Sequence, residues 1–396
     1  MDRSRKQQIS MILLWGLVFL IPFSYHPFVF SISKNWGVLD GSVLSPVIII
    51  LFLLLFLLSA NDKRLFSVKE LVIPLGAILL YGVTLSISLF FGFKVPVLRE
   101  IRMLMIPWMA MLVGYQLRIS MEQYRMLLYF FIGVVLWVAL TQIATNIGGF
   151  VILEQYVTEN KNALGVVMAT AATIALVLGL EPGRPRWISI LFLFLSLLLI
   201  ISLLTIRARA AALIFMVVAL YIFFKKFKSK HIFLVLIGFF VVAVLTYLFL
   251  PSGIKQFVTD SFLLNKEQDV MTDRMVRNEK AIRFLIDYPF FGNQRHHPVD
   301  FGYIHNYPLL KWYNYGFVGA FFVLFLYFYL LWLAVKNSFT TSLSKITQMG
   351  FLLLLIPYGI SMAEPSLPFG PGTVTAFNFI LFGLAIREKS GDALTR

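Results

Sequence analysis

Three observations on the 396-residue sequence predict an all-α polytopic membrane protein of about twelve transmembrane helices, with one long outer loop containing an amphipathic helix. Hydrophobic residues make up 59% of the chain and charged residues 13%, about half the charged share, roughly 25%, of a soluble domain. Apolar runs such as "SPVIIILFLLLFLLSA" and "WISILFLFLSLLLIISLLTI" approach the roughly 20 residues that cross the hydrocarbon core as a helix. These runs recur along the whole chain, and alternate loops between them collect Lys and Arg. Residues 1–396 therefore read as a single integral membrane domain.

Hydropathy places the spans near 10–31, 40–59, 70–92, 101–117, 126–147, 161–181, 187–206, 209–224, 231–250, 311–335, 346–362 and 370–386. The first follows "MDRSRKQQIS" and has no small-residue cleavage site after it, so it reads as a retained span and not a removed signal peptide. With the N-terminus inside, the inner segments are "MDRSRKQQ", "NDKRLFSVKE", "LRISMEQYR", "EPGRPR", "KKFKSKH", "KNSFTTSLSK" and "REKSGDALTR". They hold more than half of the 34 Lys and Arg. The short outer loops "SISKNWGVLDG", "FKVPVLRE", "TNIGGFVILEQYVTENKN" and "MAEPSLPFGPGT" are poorer in positive charge. The exception is the loop over 251–310, between spans 9 and 10, which is long enough to cross regardless of charge. Both termini are expected in the cytoplasm. The net charge of +15 is scattered through loops, which fits anionic headgroups and helix orientation and not a nucleic acid. Cysteine is absent, which removes disulfides, thiolate ligands and a cysteine nucleophile.

The long loop is too long for a turn and calls for a function. Within it "TDRMVRNEKAIRFLIDYPFFG" reads as an amphipathic helix, capped by Thr272 or Asp273 and ended by Pro289 and Gly292. Met275, Ile282, Leu285 and Tyr288 form its expected apolar stripe, with Arg274, Arg277 and Lys280 on another face. Next comes "NQRHHPVDFGYIHNYPLLKWYNYGFVGAFF", where His305 and Asn306 precede the tenth span and Gly316 and Gly319 permit close packing inside it. Four of the five histidines, His26, His296, His297 and His305, fall on the outer half. Glu364 lies in the last outer loop, Asn162 at the entrance to the sixth span, and Arg207 and Arg209 at the tight turn in "TIRARAAALIF".

Charges at a membrane boundary default to function. Guanidinium groups bind phosphate bidentately, and histidine accepts a proton from a hydroxyl near neutral pH. The grouping suits acid–base chemistry at the outer face on a phosphate-bearing substrate. Each residue also has a structural reading. The arginines can anchor a span by snorkelling, Arg277, Lys280 and Arg283 can form a solvated helix face, Glu364 can cap or pack a helix, and His296 and His297 can be loop surface. The spacing of the three loop histidines matches no metal motif, so no metal ligand is assigned.

These stretches resemble the bacterial O-antigen ligase and O-antigen polymerase family of membrane glycosyltransferases. "TIRARAAALIF" is similar to its Ser-Arg-Gly/Ala-Ala stretch at the outer start of a span. "DRMVRNEKAIRFLIDYPFFGNQ" is similar to its Arg, amphipathic helix and Pro-Leu-Phe-Gly order, and "YIHNYPLLKWYNYGFVG" to its His-Asn segment followed by spaced glycines. The resemblance runs over about 160–385. It implies Arg209, with Arg207 as rival, as the span-edge arginine, Arg274, with Arg277 as rival, as the loop arginine, and His305 as the essential histidine. The chain departs from the pattern at Ala208, where the family has Ser. It departs again at Asn278 or Glu279, where an aromatic is common. The implied reaction moves glycan from undecaprenyl diphosphate to an acceptor sugar hydroxyl, on lipid A–core or on a lipid-linked glycan, in the bacterial inner membrane. It needs no cofactor, nucleotide or metal. His305 would act as general base, Arg209 and Arg274 would neutralise diphosphate, and Arg207, Arg277, Asn306, Asn162 and Glu364 would bind diphosphate or sugar. A lipid-linked sugar transporter or flippase is the competing class, and a non-catalytic assembly protein the third.

Overall fold

The computed structural model describes residues 3–35, 44–59, 68–92, 95–147, 152–206, 208–226, 270–294, 304–338, 345–370 and 373–390. Among these the chain is helical, without strands. The helices are α1 (Arg3–Phe23), α2 (Pro27–Asn35), α3 (Ser45–Ser59), α4 (Lys69–Phe90), α5 (Val97–Gln116), α6 (Met121–Ile147), α7 (Ile152–Gly179), α8 (Arg186–Thr205), α9 (Arg209–Lys226), α10 (Val270–Asp287), α11 (Tyr307–Ser338), α12 (Lys345–Ile360) and α13 (Ala376–Lys389). Six of them (α1, α4, α6, α7, α8 and α11) are long and apolar enough to cross a membrane, and α3 and α12 are apolar but shorter. The chain is a multi-pass all-α membrane protein.

Most helices fall on the expected spans, with instructive departures. The first expected span, 10–31, is two helices: α1 ends at Phe23, and the Ser24 and Tyr25 amides close its last turn on the Leu20 and Pro22 carbonyls. Helix α7 starts at Ile152, well before the expected 161, since no Gly or Pro interrupts the sequence between them. Helix α13 starts at Ala376 and not at 370; residues 373–375 before it form a turn. The expected ninth span, 231–250, and the first part of the long loop lie outside the described residues.

Helices α7 and α13 form the centre. Every residue from 163 to 176 is buried, as is every residue from 373 to 387. A helix buried on all sides inside a membrane cannot rely on lipid exclusion, so small residues and polar ties hold it. A Cβ on Gly114 of α5 would strike the Ile380 carbonyl, and one on Gly383 would strike the Met111 carbonyl, so the two glycines set the α5–α13 spacing reciprocally. The Asn378 side chain in α13 donates to Thr170 Oγ1 of α7 at 2.9 Å and to the Leu353 carbonyl of α12 at 2.9 Å.

Bonds between helix termini define the two ends of the bundle. At one end Gln7 donates to the Arg118 carbonyl (2.9 Å), Arg387 to the Leu117 carbonyl (2.5 Å), Arg125 pairs with Glu181 (3.0 Å), Lys389 with Glu70 (3.3 Å), and Tyr221 donates to the Ser338 carbonyl (2.5 Å). This Glu181 end gathers the starts of α1, α4 and α6 with the ends of α5, α7, α9, α11 and α13, as strict alternation of spans requires. The opposite, Glu364 end carries the segments expected to face outward.

Candidate functional site

The site at the Glu364 end begins with the start of α11. Asn306 precedes the helix, and its side-chain oxygen accepts the Leu309 amide at 3.0 Å, an N-cap bond to the third helical residue. Pro308 sits in the first turn, where its missing N–H leaves no donor unmet. "HNYP" is thus a helix start written in sequence. The Tyr307 amide donates to the Ser361 carbonyl at 3.0 Å, and Asn306 Nδ2 faces the Met362 carbonyl at 3.4 Å. His305 is held half-buried beside this cap, with Nδ1 out of solvent contact.

The turn that receives α11 also carries Glu364, two residues past Met362. Asn162 Nδ2 of α7 donates to Glu364 Oε2 at 2.5 Å, across 202 residues of sequence. Asn162 and Glu364, both expected as binding residues, are therefore engaged with each other, and Asn306 is engaged as a cap. One turn along α7, a Cβ on Gly165 would meet Ala211 at 2.9 Å and Ala208 at 3.1 Å. This brings the start of α9 to the same end. There Ala208 closes α8 through its amide to the Leu203 carbonyl (3.1 Å) and opens α9 through its carbonyl to the Ala212 amide (3.0 Å). Arg209 is the first residue of α9 and is exposed, and among the described residues it has no ion-pair partner. Arg207 lies outside the described residues.

Helix α10 docks on the start of α11. Ala281, Phe284 and Leu285 are buried with Ile304 and Tyr313, and Phe284 meets Tyr313 edge-on at 5.3 Å between ring centroids. This corrects the expected stripe. Leu285 is buried, but Met275 is 68% exposed, Ile282 49% and Tyr288 41%. The docked face follows Phe284, the bulkiest apolar side chain in the helix, and uses the i, i+3, i+4 set beginning at Ala281. Arg277 is half-buried, Lys280 is exposed, and Arg283 pairs with Glu279 at 2.6 Å on the surface. Arg274 lies in α10, but its side chain lies outside the described residues, as do His296 and His297.

After α10 the turn "YPFFG" is built into α11. Gly316 leaves the helical region (φ 63°, ψ −180°), which breaks α11 and frees the amides that follow. The Phe317 amide donates to the Pro289 carbonyl (2.8 Å), the Val318 amide to the Phe290 carbonyl (3.1 Å), and Trp312 Nε1 to the Pro289 carbonyl (3.0 Å). Gly292 (φ 60°) lies against Gly316 so closely that a Cβ on either would strike the other segment's backbone. Gly316 was expected to permit helix packing; it admits the loop turn.

Sequence reasoning missed a charged pair just below this point. Lys311 Nζ lies 2.5 Å from Glu100 Oε2, across 211 residues, and the Tyr81 hydroxyl donates to the same oxygen at 3.1 Å. Lys311 is 3% and Glu100 7% exposed, and the ammonium sits over the Tyr307 and Tyr315 rings at 5.2 and 5.7 Å. A lone Lys inside "YPLLKWYNYG" and a Glu opening an apolar helix are the signal that was available: ionisable groups in spans are rare and need partners.

The site therefore combines a half-buried imidazole, a cap and an acid–amide brace that fix its position, an exposed guanidinium at the same end, and a docked loop helix bearing further cations. No protein-family model matches the chain, and no curated protein matches it.

Proposed function

We propose that the chain is a membrane glycosyltransferase of cell-surface polysaccharide synthesis, a relative of the O-antigen ligases and polymerases. In this reading twelve spans put both termini in the cytoplasm of a bacterial inner membrane, with the Glu364 end in the periplasm. The observation that carries the reading is the gathering of His305, Arg209 and the cationic loop helix α10 at one end of the bundle. Arg209 at the first position of α9 opposes the helix dipole, an unfavourable placement unless an anion is close by. The diphosphate of an undecaprenyl donor supplies one.

The chemistry follows from these groups. His305 takes the proton of the acceptor sugar hydroxyl, and the oxygen attacks the anomeric carbon from the face opposite the leaving group. The bond from that carbon to the diphosphate oxygen breaks, with inversion. Undecaprenyl diphosphate leaves with its added charge neutralised by Arg209 and Arg274, with Arg207 and Arg277 as the alternative arginines for that role. No step calls for a metal or nucleotide. Asn306, Asn162 and Glu364 act as positioning residues, since their side chains already hold the site's walls together. The acceptor most in keeping with a compact site is lipid A–core, which makes the chain a ligase. Transfer onto the next lipid-linked repeat, by a polymerase, uses the same machinery.

A lipid-linked sugar transporter or flippase ranks second, and the buried Glu100–Lys311 pair is the observation in its favour. Both residues sit within the first turns of their helices, and the pair lies inside the bundle: Tyr81, midway along α4, donates to the same carboxylate, and Tyr307 stacks on Tyr327 at 5.8 Å.

The test is gene deletion, followed by gel analysis of cell-surface glycolipids and rescue with wild type, His305→Ala and Arg209→Ala. Long chains missing from lipid A–core, with polymer accumulating on undecaprenyl diphosphate, identify a ligase. Core capped by a single repeat identifies a polymerase. Full rescue by His305→Ala removes the catalytic reading and leaves the transporter.

A further inference from the structure

The Glu181 end holds a cavity that the proposed reaction does not use. It measures about 420 Å³ and lies among α6, α7, α9, the end of α11 and α12, within the roughly 300–1,000 Å³ of small-molecule sites. Its floor is apolar, formed by Leu128, Leu178 and Leu352 among others, and its mouth carries Arg125, Lys225 and Glu181.

The charges at the mouth do not cancel. The Glu181 carboxylate is shared: one oxygen takes Arg125 at 3.0 Å and the other Arg184 at 2.7 Å. One carboxylate thus serves two guanidinium groups, Arg125 and Arg184, and Lys225 stands at the same mouth. Arg125 stays 45% exposed at its side chain, and a guanidinium carries five N–H donors, so this single pairing leaves capacity for a further acceptor. In sequence Lys225 is followed by Lys226, Lys228 and Lys230.

We propose that this cavity is a binding site for one acidic phospholipid, with its phosphate at Arg125 and Lys225 and the upper part of an acyl chain on the apolar floor. Three features select this class. The cation excess calls for an anion. The floor is wasted on a small soluble anion but suits an acyl chain. The cavity opens where helix ends meet the headgroup layer, the level at which basic pockets between spans hold acidic lipids. The site lies at the opposite end from His305 and does not depend on the glycosyltransferase reading.

The experiment is native mass spectrometry of the purified full-length protein with limiting phosphatidylglycerol or phosphatidylcholine, alongside its melting temperature. Wild type should retain one phosphatidylglycerol with at least about tenfold preference over phosphatidylcholine, as two basic groups at the headgroup imply. Arg125→Gln/Lys225→Gln should lose that preference. Leu178→Phe, which fills the floor and leaves the charges alone, should lower retention of both lipids, and it serves if the double variant does not fold. Preference unchanged in the double variant and retention unchanged in Leu178→Phe would each overturn the proposal. Displacement of the lipid by equimolar inorganic phosphate would overturn it too, by assigning the mouth to a soluble anion.

Discussion

The two ends of the bundle handle charge in opposite ways. At the Glu181 end the pairs are partly exposed and the partners lie where short loops deliver them: Arg125 with Glu181, Arg184 with Glu181, Lys389 with Glu70. At the Glu364 end Lys311 and Glu100 are sealed from solvent, and Asn162 and Glu364 join segments some two hundred residues apart. A pair in contact with water and headgroups contributes little, because solvent screens it and either partner is satisfied alone. A pair inside the bundle leaves a stranded charge if one member goes, so its register is enforced. The first kind orients the helices, and the second fixes how α11 sits on α4 and α5.

The strongest test of that contrast removes Lys311. Lys311→Met should cost about 3–5 kcal/mol by stranding Glu100, read as a lowered melting temperature in detergent. Lys311→Met/Glu100→Leu should recover most of the loss. Equal losses in single and double variants would show that the pair is not the unit. Next comes the break in α11. Gly316→Ala and Gly292→Ala should each cost about 1–3 kcal/mol, since both demand a left-handed residue against backbone. A double variant should cost much less than the sum, because both destroy one contact.

Asn306→Ala should cost about 1 kcal/mol as a lost cap, while Asn306→Asp, which caps equally well, should keep stability and, under the proposed function, glycan transfer. Loss of transfer with stability intact in the Asp variant would give Asn306 a direct role in binding. At the Glu181 end, Lys389→Gln, which breaks the partly exposed pair with Glu70, should cost under about 1 kcal/mol, and the cost should shrink in high salt.

Helix positions were legible because apolar runs and breakers are local signals, as α8, α9 and α12 show by starting within a residue of expectation. The loop helix was legible for the same reason, but its start was not: α10 begins at Val270, so Thr272 and Asp273 lie inside it and do not cap it, and α11 opens at Tyr307 and not at 311. The docked face of α10 was not, because exposed Met275 and Ile282 are as apolar as buried Leu285, and only the position of Tyr313 and Ile304 separates them. The Glu100–Lys311 pair was half legible: each residue stood out, but nothing local joins two residues 211 positions apart. The break at Gly316 was hidden because the carbonyl acceptors that replace its missing helix bonds come from another segment.

The closure between Gly292 and Gly316 has a consequence for how such a chain can diversify. Apart from the Trp312 indole N–H, the loop is fastened to the span by carbonyls and amides, the amide being a donor every residue but proline offers alike, and by two glycines that need only remain glycine. The anchor is therefore indifferent to most side chains around it. Mutation can rewrite the outward surface of α10, where Lys280 and Ile286 stand, without loosening the joint that holds it beside His305. A lineage, or an engineer, can change the surface the loop presents while inheriting where it sits.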